Sequence, residues 1–91
     1  MTGILVQIDG QEPRLFEDEF TIGSRGADLI VADDYASAVH AKVWPYQGLW
    51  GIEDMGSTNG TWLNGRKIYE GILGKGNRLR IGRTSMTIVP L

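Results

Sequence analysis

The fold of this chain is decided by residues 49–69, which read LWGIEDMGSTNGTWLNGRKIY. An apolar run opens the stretch, and a second run at residues 61–63 follows a polar, glycine-rich segment. The pair Asn64-Gly65 then leads into a third run at residues 66–69. Asn-Gly between two such runs is the strongest short-range hairpin signal, because both turn positions need a positive φ. The stretch therefore predicts successive β-strands joined by tight turns.

The same pattern extends over the rest of the chain. Short apolar and β-branched runs alternate with turns that contain Gly, Asn or Asp, and we find no stretch with the 3.6-residue spacing and caps of a helix. Around ten or eleven short strands without a helix predict an all-β sandwich or small barrel. The apolar runs lie at residues 4–8, 14–16, 20–22, 29–31, 40–46, 49–54, 61–63, 66–69, 78–81 and 84–89.

Length and composition indicate one globular domain. The chain has 91 residues, of which 42% are hydrophobic and 22% charged, and we expect residues 1–91 to form a single domain. It contains no cysteine, which excludes a disulfide framework and a thiolate metal site. Residues 1–20 contain no apolar run long enough for a signal peptide or a membrane span. These features favour a cytoplasmic location without membrane insertion.

Charge is distributed unevenly along the chain. The net charge of −2 argues against broad nucleic-acid binding, which normally requires a strongly basic face. Residues 1–41 contain two basic and eight acidic side chains, whereas residues 42–91 contain seven basic and three acidic side chains. A local anion site is compatible with this distribution, and so is a scatter of basic residues over solvated turns.

Polar groups suited to an anion occur at the ends of the predicted strands. They lie in three segments, IGSR at residues 22–25, SAVH at residues 37–40 and GSTNGT at residues 56–61. A guanidinium group matches phosphate geometry, hydroxyl groups donate to phosphate oxygens, and an amide can bind a peptide main chain. Taken singly, each segment is also ordinary turn chemistry. Together they predict a loop site whose binding depends on phosphorylation.

In combination these segments resemble the forkhead-associated (FHA) family. The family pattern is Gly-Arg, then Ser-x-x-His, then Asp-Leu-Gly-Ser-Thr-Asn-Gly-Thr, and a closing Ile-Gly before the last strand. The corresponding residues here are 23–25, 37–40, 54–61 and 81–82, so the resemblance covers essentially the whole chain. It implies a β-sandwich of about eleven strands in two twisted, mainly antiparallel sheets. It also implies that loops at one end of the sandwich bind phosphothreonine.

The resemblance implies a role for each polar loop residue. Arg25 would contact the phosphate or the adjacent peptide backbone, and the hydroxyls of Ser37 and Thr58 would donate to phosphate oxygens. Asn59 would hydrogen-bond the peptide main chain, and Tyr35 is a candidate for sensing the peptide beyond the phosphothreonine. The expected phosphopeptide-binding residues are Ser24, Arg25, Ser37, Thr58 and Asn59.

The resemblance also implies which residues support the site structurally, and beside one of them the chain departs from the family pattern. Gly23 would permit a tight turn, His40 would tie its loop to the neighbouring loops, and Gly60 would support the site. The family usually has Arg directly after the Gly, whereas Ser24 intervenes here and Arg25 follows. Two placements of Arg25 remain open: its long side chain reaches the phosphate, or it points away and leaves Ser24 near the site.

The function implied by the resemblance is a phosphothreonine-dependent interaction module in Ser/Thr-kinase signalling. The partner would be a phosphorylated kinase or kinase substrate, and the chain would be a monomer or weak dimer. We expect no cofactor, no bound metal and no nucleic acid. The alternative keeps the fold but binds partners independently of phosphate, or dimerises through a sandwich face, for which Trp44 or Tyr46 would be suited.

Two other classes of protein fit the sequence poorly. The single histidine limits Ser–His catalysis to His40 with Ser37, and no nucleophile elbow accompanies them. We therefore expect no enzyme. Trp44, Trp50 and Trp62 could stack nucleic-acid bases. Two of them, Trp50 and Trp62, lie in strand patterns that favour packing in the sandwich instead.

Overall fold

The computed structural model describes residues 3–91, and these residues form eleven β-strands and no helix. All pairings are antiparallel except that of β3 with β4. The predicted all-β sandwich is therefore confirmed. The strands are β1 (Ile4–Ile8), β2 (Arg14–Phe16), β3 (Phe20–Gly23), β4 (Leu29–Ile30), β5 (Ala41–Tyr46), β6 (Leu49–Asp54), β7 (Thr61–Leu63), β8 (Arg66–Ile68), β9 (Glu70–Leu73), β10 (Asn77–Ile81) and β11 (Thr84–Pro90).

The strands form a six-stranded sheet in the order β2-β1-β11-β10-β7-β8 and a five-stranded sheet in the order β4-β3-β5-β6-β9. Alternate side chains of each strand point inward, as the two-residue repeat of a strand requires. In β10, for example, Leu79 and Ile81 are buried while Arg78 and Arg80 are exposed. The buried side chains of both sheets form one hydrophobic cluster, which holds the sheets together.

One strand was missed by the sequence analysis. Strand β9 follows β8 after the single residue Tyr69, and it pairs with β6 in the other sheet. The run predicted at residues 66–69 therefore ends at Ile68, where the chain crosses from one sheet to the other. The sequence gives little sign of β9, because Gly71 and Glu70 are residue types that strands disfavour.

The strand register determines which loops lie together. Ala41, the first residue of β5, pairs with Ile22 of β3 and with Asp54 of β6. Thr61, the first residue of β7, pairs with Ile81, the last residue of β10. The loops at residues 24–28, 31–40, 55–60 and 82–83 therefore lie at one end of the sandwich, which we call the apical end. The turns at residues 17–19, 47–48, 64–65 and 74–76 lie at the opposite end.

Within residues 3–91, the structure contains no helix long and apolar enough to cross a membrane.

Candidate functional site

Gly23 ends β3 at a point where two apical loops touch. The backbone N–H of Ser24 donates to the carbonyl oxygen of Ser37 at 3.0 Å, and that of Arg25 donates to the carbonyl oxygen of Ala38 at 3.2 Å. A Cβ atom on Gly23 would overlap the Ala38 carbonyl oxygen. Glycine is therefore required for this close approach, which holds the loop after β3 against the loop before β5.

The imidazole of His40 is fully buried and joins two apical loops. The backbone N–H of Ser37 donates to Nδ1 at 3.0 Å, so Nδ1 is the unprotonated nitrogen of a neutral ring. Nε2 then carries the hydrogen and donates it to the carbonyl oxygen of Gly60 at 2.8 Å. The backbone N–H of His40 donates to the Ile22 carbonyl oxygen at 2.8 Å. His40 thus connects the Ser37 loop to the loop at residues 55–60 and to β3.

The carboxylate of Asp54 organises the loop at residues 55–60. It accepts hydrogen bonds from the Ser57 backbone N–H at 3.0 Å, from the Ser57 hydroxyl and from the Thr61 hydroxyl at 2.8 Å. The Ser57 hydroxyl oxygen in turn accepts from the Gly60 backbone N–H at 3.0 Å. Burial alone would raise the pKa of Asp54, but the hydrogen bonds from Ser57 and Thr61 outweigh burial and lower it. Asp54 is therefore ionised at neutral pH.

Ser37, Thr58, Ser24 and Arg25 lie at the apical end with donors left for a ligand. The Ser37 hydroxyl oxygen accepts from the Thr58 backbone N–H at 3.1 Å, which leaves its own hydrogen available. Arg25 and Thr58 are exposed and Ser24 is half-buried. Their side chains make no hydrogen bond or ion pair with any residue between 3 and 91. The structure thus brings four of the five predicted phosphopeptide-binding residues to the same end of the molecule.

Asn59 lies between two apical loops and the outer face of the six-stranded sheet. Its Nδ2 donates to the carbonyl oxygen of Tyr35 at 2.8 Å, which fixes the amide and leaves its Oδ1 able to accept. Its own backbone carbonyl oxygen accepts from the indole N–H of Trp62 at 3.4 Å. The next residue, Gly60, has a φ of 86°, which glycine adopts without strain.

A family model described as the FHA domain matches residues 20–82, which is more than half of the chain. The chain belongs to the FHA family. FHA domains are phosphothreonine-binding modules without catalytic activity. Gly23, His40 and Asp54 thus hold together the apical loops of an FHA domain, although these loops lie far apart in the sequence.

Two curated relatives are each described as FHA domain-containing protein FhaB. The protein from Mycolicibacterium smegmatis is 41% identical over 63 residues, which cover 68% of this chain and 41% of the relative. The protein from Mycobacterium tuberculosis is 35% identical over 85 residues, which cover 91% of this chain and 55% of the relative. The chain thus spans about half the length of the curated relatives it matches.

Solved structures share the fold over nearly the whole chain. The FHA domain of the CT664 protein from Chlamydia trachomatis has a TM-score of 0.88 and 26% identity, and the match covers 97% of both chains. Mycobacterium tuberculosis EmbR, solved in complex with a low affinity phosphopeptide, has a TM-score of 0.90 and 18% identity. That match covers 98% of this chain and 24% of EmbR. At that identity, the likeness to EmbR shows the fold alone.

Arg25 lies beside a shallow depression at the apical end of the FHA domain. The depression is lined by Ser24, Arg25, Val31, Ala32, Asp33, Asp34 and Ala36. The guanidinium of Arg25 thus shares its surroundings with two carboxylates, although it is not paired with either of them. Its contact with a phosphate stays a prediction, as do the ligand contacts of Ser24, Ser37, Thr58 and Asn59.

Sequence analysis missed a second apical connection, centred on Asp33. This carboxylate accepts from the Tyr35 backbone N–H at 2.8 Å, from the Arg83 backbone N–H at 2.7 Å and from the Thr84 hydroxyl at 2.7 Å. The Thr84 hydrogen bond is the main cause of a lowered pKa for Asp33. The Arg83 guanidinium stacks on the Tyr35 ring, with its Cζ 4.1 Å from the ring centroid. The sequence carries no signal for this connection, because it joins residues fifty positions apart.

No group of three or more His, Asp or Glu side chains in residues 3–91 is arranged to hold a metal ion.

Proposed function

We propose that this FHA domain binds phosphothreonine in a partner protein and serves as a phosphorylation-dependent interaction module in cytoplasmic Ser/Thr-kinase signalling. The observation that carries the proposal is the presence of uncommitted donors on three neighbouring loops at the apical end. These donors are the guanidinium of Arg25 and the hydroxyls of Ser37 and Thr58. A phosphate presents several oxygens to separate donors at once, so it is the ligand that suits this set.

The framework behind these donors lowers the cost of binding. The Ser37 hydroxyl is oriented by the Thr58 N–H, and the two loops that carry them are joined by the buried His40 ring. Side chains that are held in place before binding lose less entropy when the ligand arrives. Each hydrogen bond to a charged group contributes about 1.5–3 kcal/mol. Three or four such bonds, less the ordering costs, correspond to about −8 kcal/mol, or micromolar affinity.

Binding depends on phosphorylation in this scheme, because without the phosphate the three donors have no shared acceptor. Asn59 would hold the peptide main chain through its free Oδ1, while its Nδ2 stays on the Tyr35 carbonyl oxygen. We infer that the partner is a phosphorylated kinase or kinase substrate. EmbR, which shares the fold, has been solved with a bound phosphopeptide, so the fold accommodates a ligand of this kind.

Calorimetric titration with a phosphothreonine peptide, its phosphoserine form and the unmodified peptide tests the proposal. We expect micromolar binding of the phosphothreonine peptide and no measurable binding of the unmodified one. Arg25→Ala and Ser37→Ala should each weaken binding about tenfold, the equivalent of about 1.4 kcal/mol and of one charge-assisted bond. Lys75→Ala, at the opposite end of the sandwich, is the matched control and should bind as the wild type does.

A second candidate function is association independent of phosphate through the outer face of the five-stranded sheet. Trp44 lies against Gly51, where an added Cβ would come within 2.8 Å of the indole ring. Tyr46 and Ile72 are about half exposed beside it, at 47% and 51%, and with Trp44 they line an apolar groove. Equal binding of all three peptides, unaffected by Arg25→Ala, would favour this second function and contradict the first.

A further inference from the structure

Three side chains form a continuous band on the outer face of the six-stranded sheet, close to the apical end. They are Lys67 on β8, Trp62 on β7 and Arg80 on β10, and we call them the basic strip. Trp62 is the direct cross-strand partner of both, since it pairs with Arg80 on one side and with Lys67 on the other. Side chains that are paired in this way point to the same face of the sheet.

The aromatic ring of Trp62 supports the arginine of the strip. The Cζ atom of Arg80 lies 4.8 Å from the centre of the indole ring, which is a cation–π contact. Nη1 of Arg80 donates to the carbonyl oxygen of Gly82 at 3.2 Å. A guanidinium group has five N–H donors, so this contact orients Arg80 and leaves further donors for a ligand.

The two cations of the basic strip are not neutralised within the described chain. Lys67 and Arg80 are exposed, and neither forms an ion pair with any carboxylate among residues 3–91. Arg78, two residues before Arg80 on the same face, differs in this respect, because both of its terminal nitrogens bind the Asp9 carboxylate, at 2.8 and 2.7 Å. The positive charge left on this face is therefore concentrated at the strip.

The basic strip adjoins the proposed phosphothreonine site directly. The Trp62 indole N–H donates to the Asn59 carbonyl oxygen. A Cβ atom on Gly60 would lie 2.7 Å from Cε of Lys67, so the aliphatic part of Lys67 covers Gly60. Asn59 and Gly60 belong to the same loop as Thr58, whose hydroxyl faces the phosphate in the proposed function. A peptide bound at Thr58 therefore has the strip as its neighbour.

We propose that the basic strip binds a short run of Asp or Glu residues adjoining the phosphothreonine in the same partner. The inference rests on the proposed function and adds a requirement for the sequence of the partner. Neighbouring strands lie about 4.8 Å apart, so the strip is about 10 Å wide. An extended peptide advances about 3.3 Å per residue, so about three residues cover this width. Carboxylates complement the unpaired cations, and the accessible part of the half-buried Trp62 indole packs against their methylene groups.

The test uses four phosphothreonine peptides that differ only beside the phosphothreonine. Two carry a run of Glu residues before or after it, and two carry Gln at the same positions. We expect one Glu peptide to bind about three- to tenfold more tightly than its Gln counterpart at low salt, as a few surface ion pairs allow. The ratio should fall towards one as salt is raised, because exposed charges are screened.

Variants test whether the ratio of affinities for the Glu and Gln peptides depends on the basic strip. The double variant Lys67→Gln, Arg80→Gln should abolish the preference for Glu over Gln, whereas Lys67→Arg, which retains the charge, should keep it. Lys75→Gln removes one charge at the opposite end of the sandwich and should also keep it. In NMR spectra, the indole N–H of Trp62 should shift more with the Glu peptide than with the Gln peptide. The Trp44 indole, on the other sheet, serves as the internal reference.

Several outcomes would overturn the inference. A preference for Glu that survives in the double variant, or that Lys75→Gln removes equally, would place the acidic segment elsewhere. Tighter binding of a single-stranded oligonucleotide that requires Lys67 and Arg80 would assign the strip to nucleic acid. Phosphothreonine binding without any gain from Glu refutes this inference alone. If none of the phosphothreonine peptides binds, the proposed function is refuted as well.

Discussion

Replacing His40 with alanine removes a ring that makes two hydrogen bonds in a site with no solvent exposure. The Ser37 N–H and the Gly60 carbonyl oxygen then lose their partners, and each buried polar group left unpaired costs about 1–3 kcal/mol. Loss of ring packing adds to this cost. We expect the free energy of unfolding to fall by about 3 kcal/mol or more, out of the roughly 5–14 kcal/mol that a domain of this length has.

Urea denaturation, followed by tryptophan fluorescence, to which the buried Trp50 contributes, measures this loss. Val39→Ala is the matched control, because Val39 precedes His40 in the same loop but is 37% exposed, and it should change the free energy of unfolding by less than about 0.5 kcal/mol. His40→Ala should also weaken phosphothreonine binding through the loops that the ring joins. A loss below about 1 kcal/mol, or one no larger than that of Val39→Ala, would refute the reasoning.

Two further predictions concern the framework of the site. Gly23→Ala should lower the free energy of unfolding by about 1–3 kcal/mol, because its methyl group would overlap the Ala38 carbonyl oxygen. Gly76→Ala, where an added Cβ meets nothing within 4 Å, should be neutral or stabilising in the same urea titration. The lowered pKa of Asp54 means that its ionised form stabilises the folded state at neutral pH, and this stabilisation is lost as the pH falls through the folded-state pKa. Asp54→Asn should therefore be less stable than the wild type at pH 7, with a difference that shrinks as the pH falls through the lowered folded-state pKa of Asp54, and a difference independent of pH would contradict this role.

The site separates residues that shape the loops from residues left for a ligand. Gly23, His40 and Asp54 each make close contacts or hydrogen bonds with neighbouring loops, and their substitution should reduce stability first. Arg25 and Thr58 have side chains without partners among residues 3–91, so their substitution should reduce binding and leave stability nearly unchanged. Parallel measurements of unfolding and of phosphopeptide affinity distinguish the two groups.

Much of the fold follows from local sequence signals. Ten of the eleven strands coincide with apolar runs. A strand with one buried face needs apolar residues at the buried positions, so such strands are visible in the sequence. Strand β9 could not be predicted in this way, since Gly71 has no side chain and Ile72 is exposed. The strand is formed by its antiparallel pairing with β6. The turn at residues 54–61 could be predicted from its own residues. Asp, Ser and Asn side chains hydrogen-bond to backbone groups only a few residues away, and Gly adopts the positive φ that turns need.

The sequence by itself determined every strand except β9, the glycine-rich turns and the family resemblance, since all of these depend on neighbouring residues. Only the tertiary structure brought Asp33 to Arg83, or Lys67, Trp62 and Arg80 into one band. Such contacts join segments far apart in the chain, and the register of paired strands sets them. The charge surrounding the site is therefore a property of the folded sandwich, which brings cations together that are separated in the sequence.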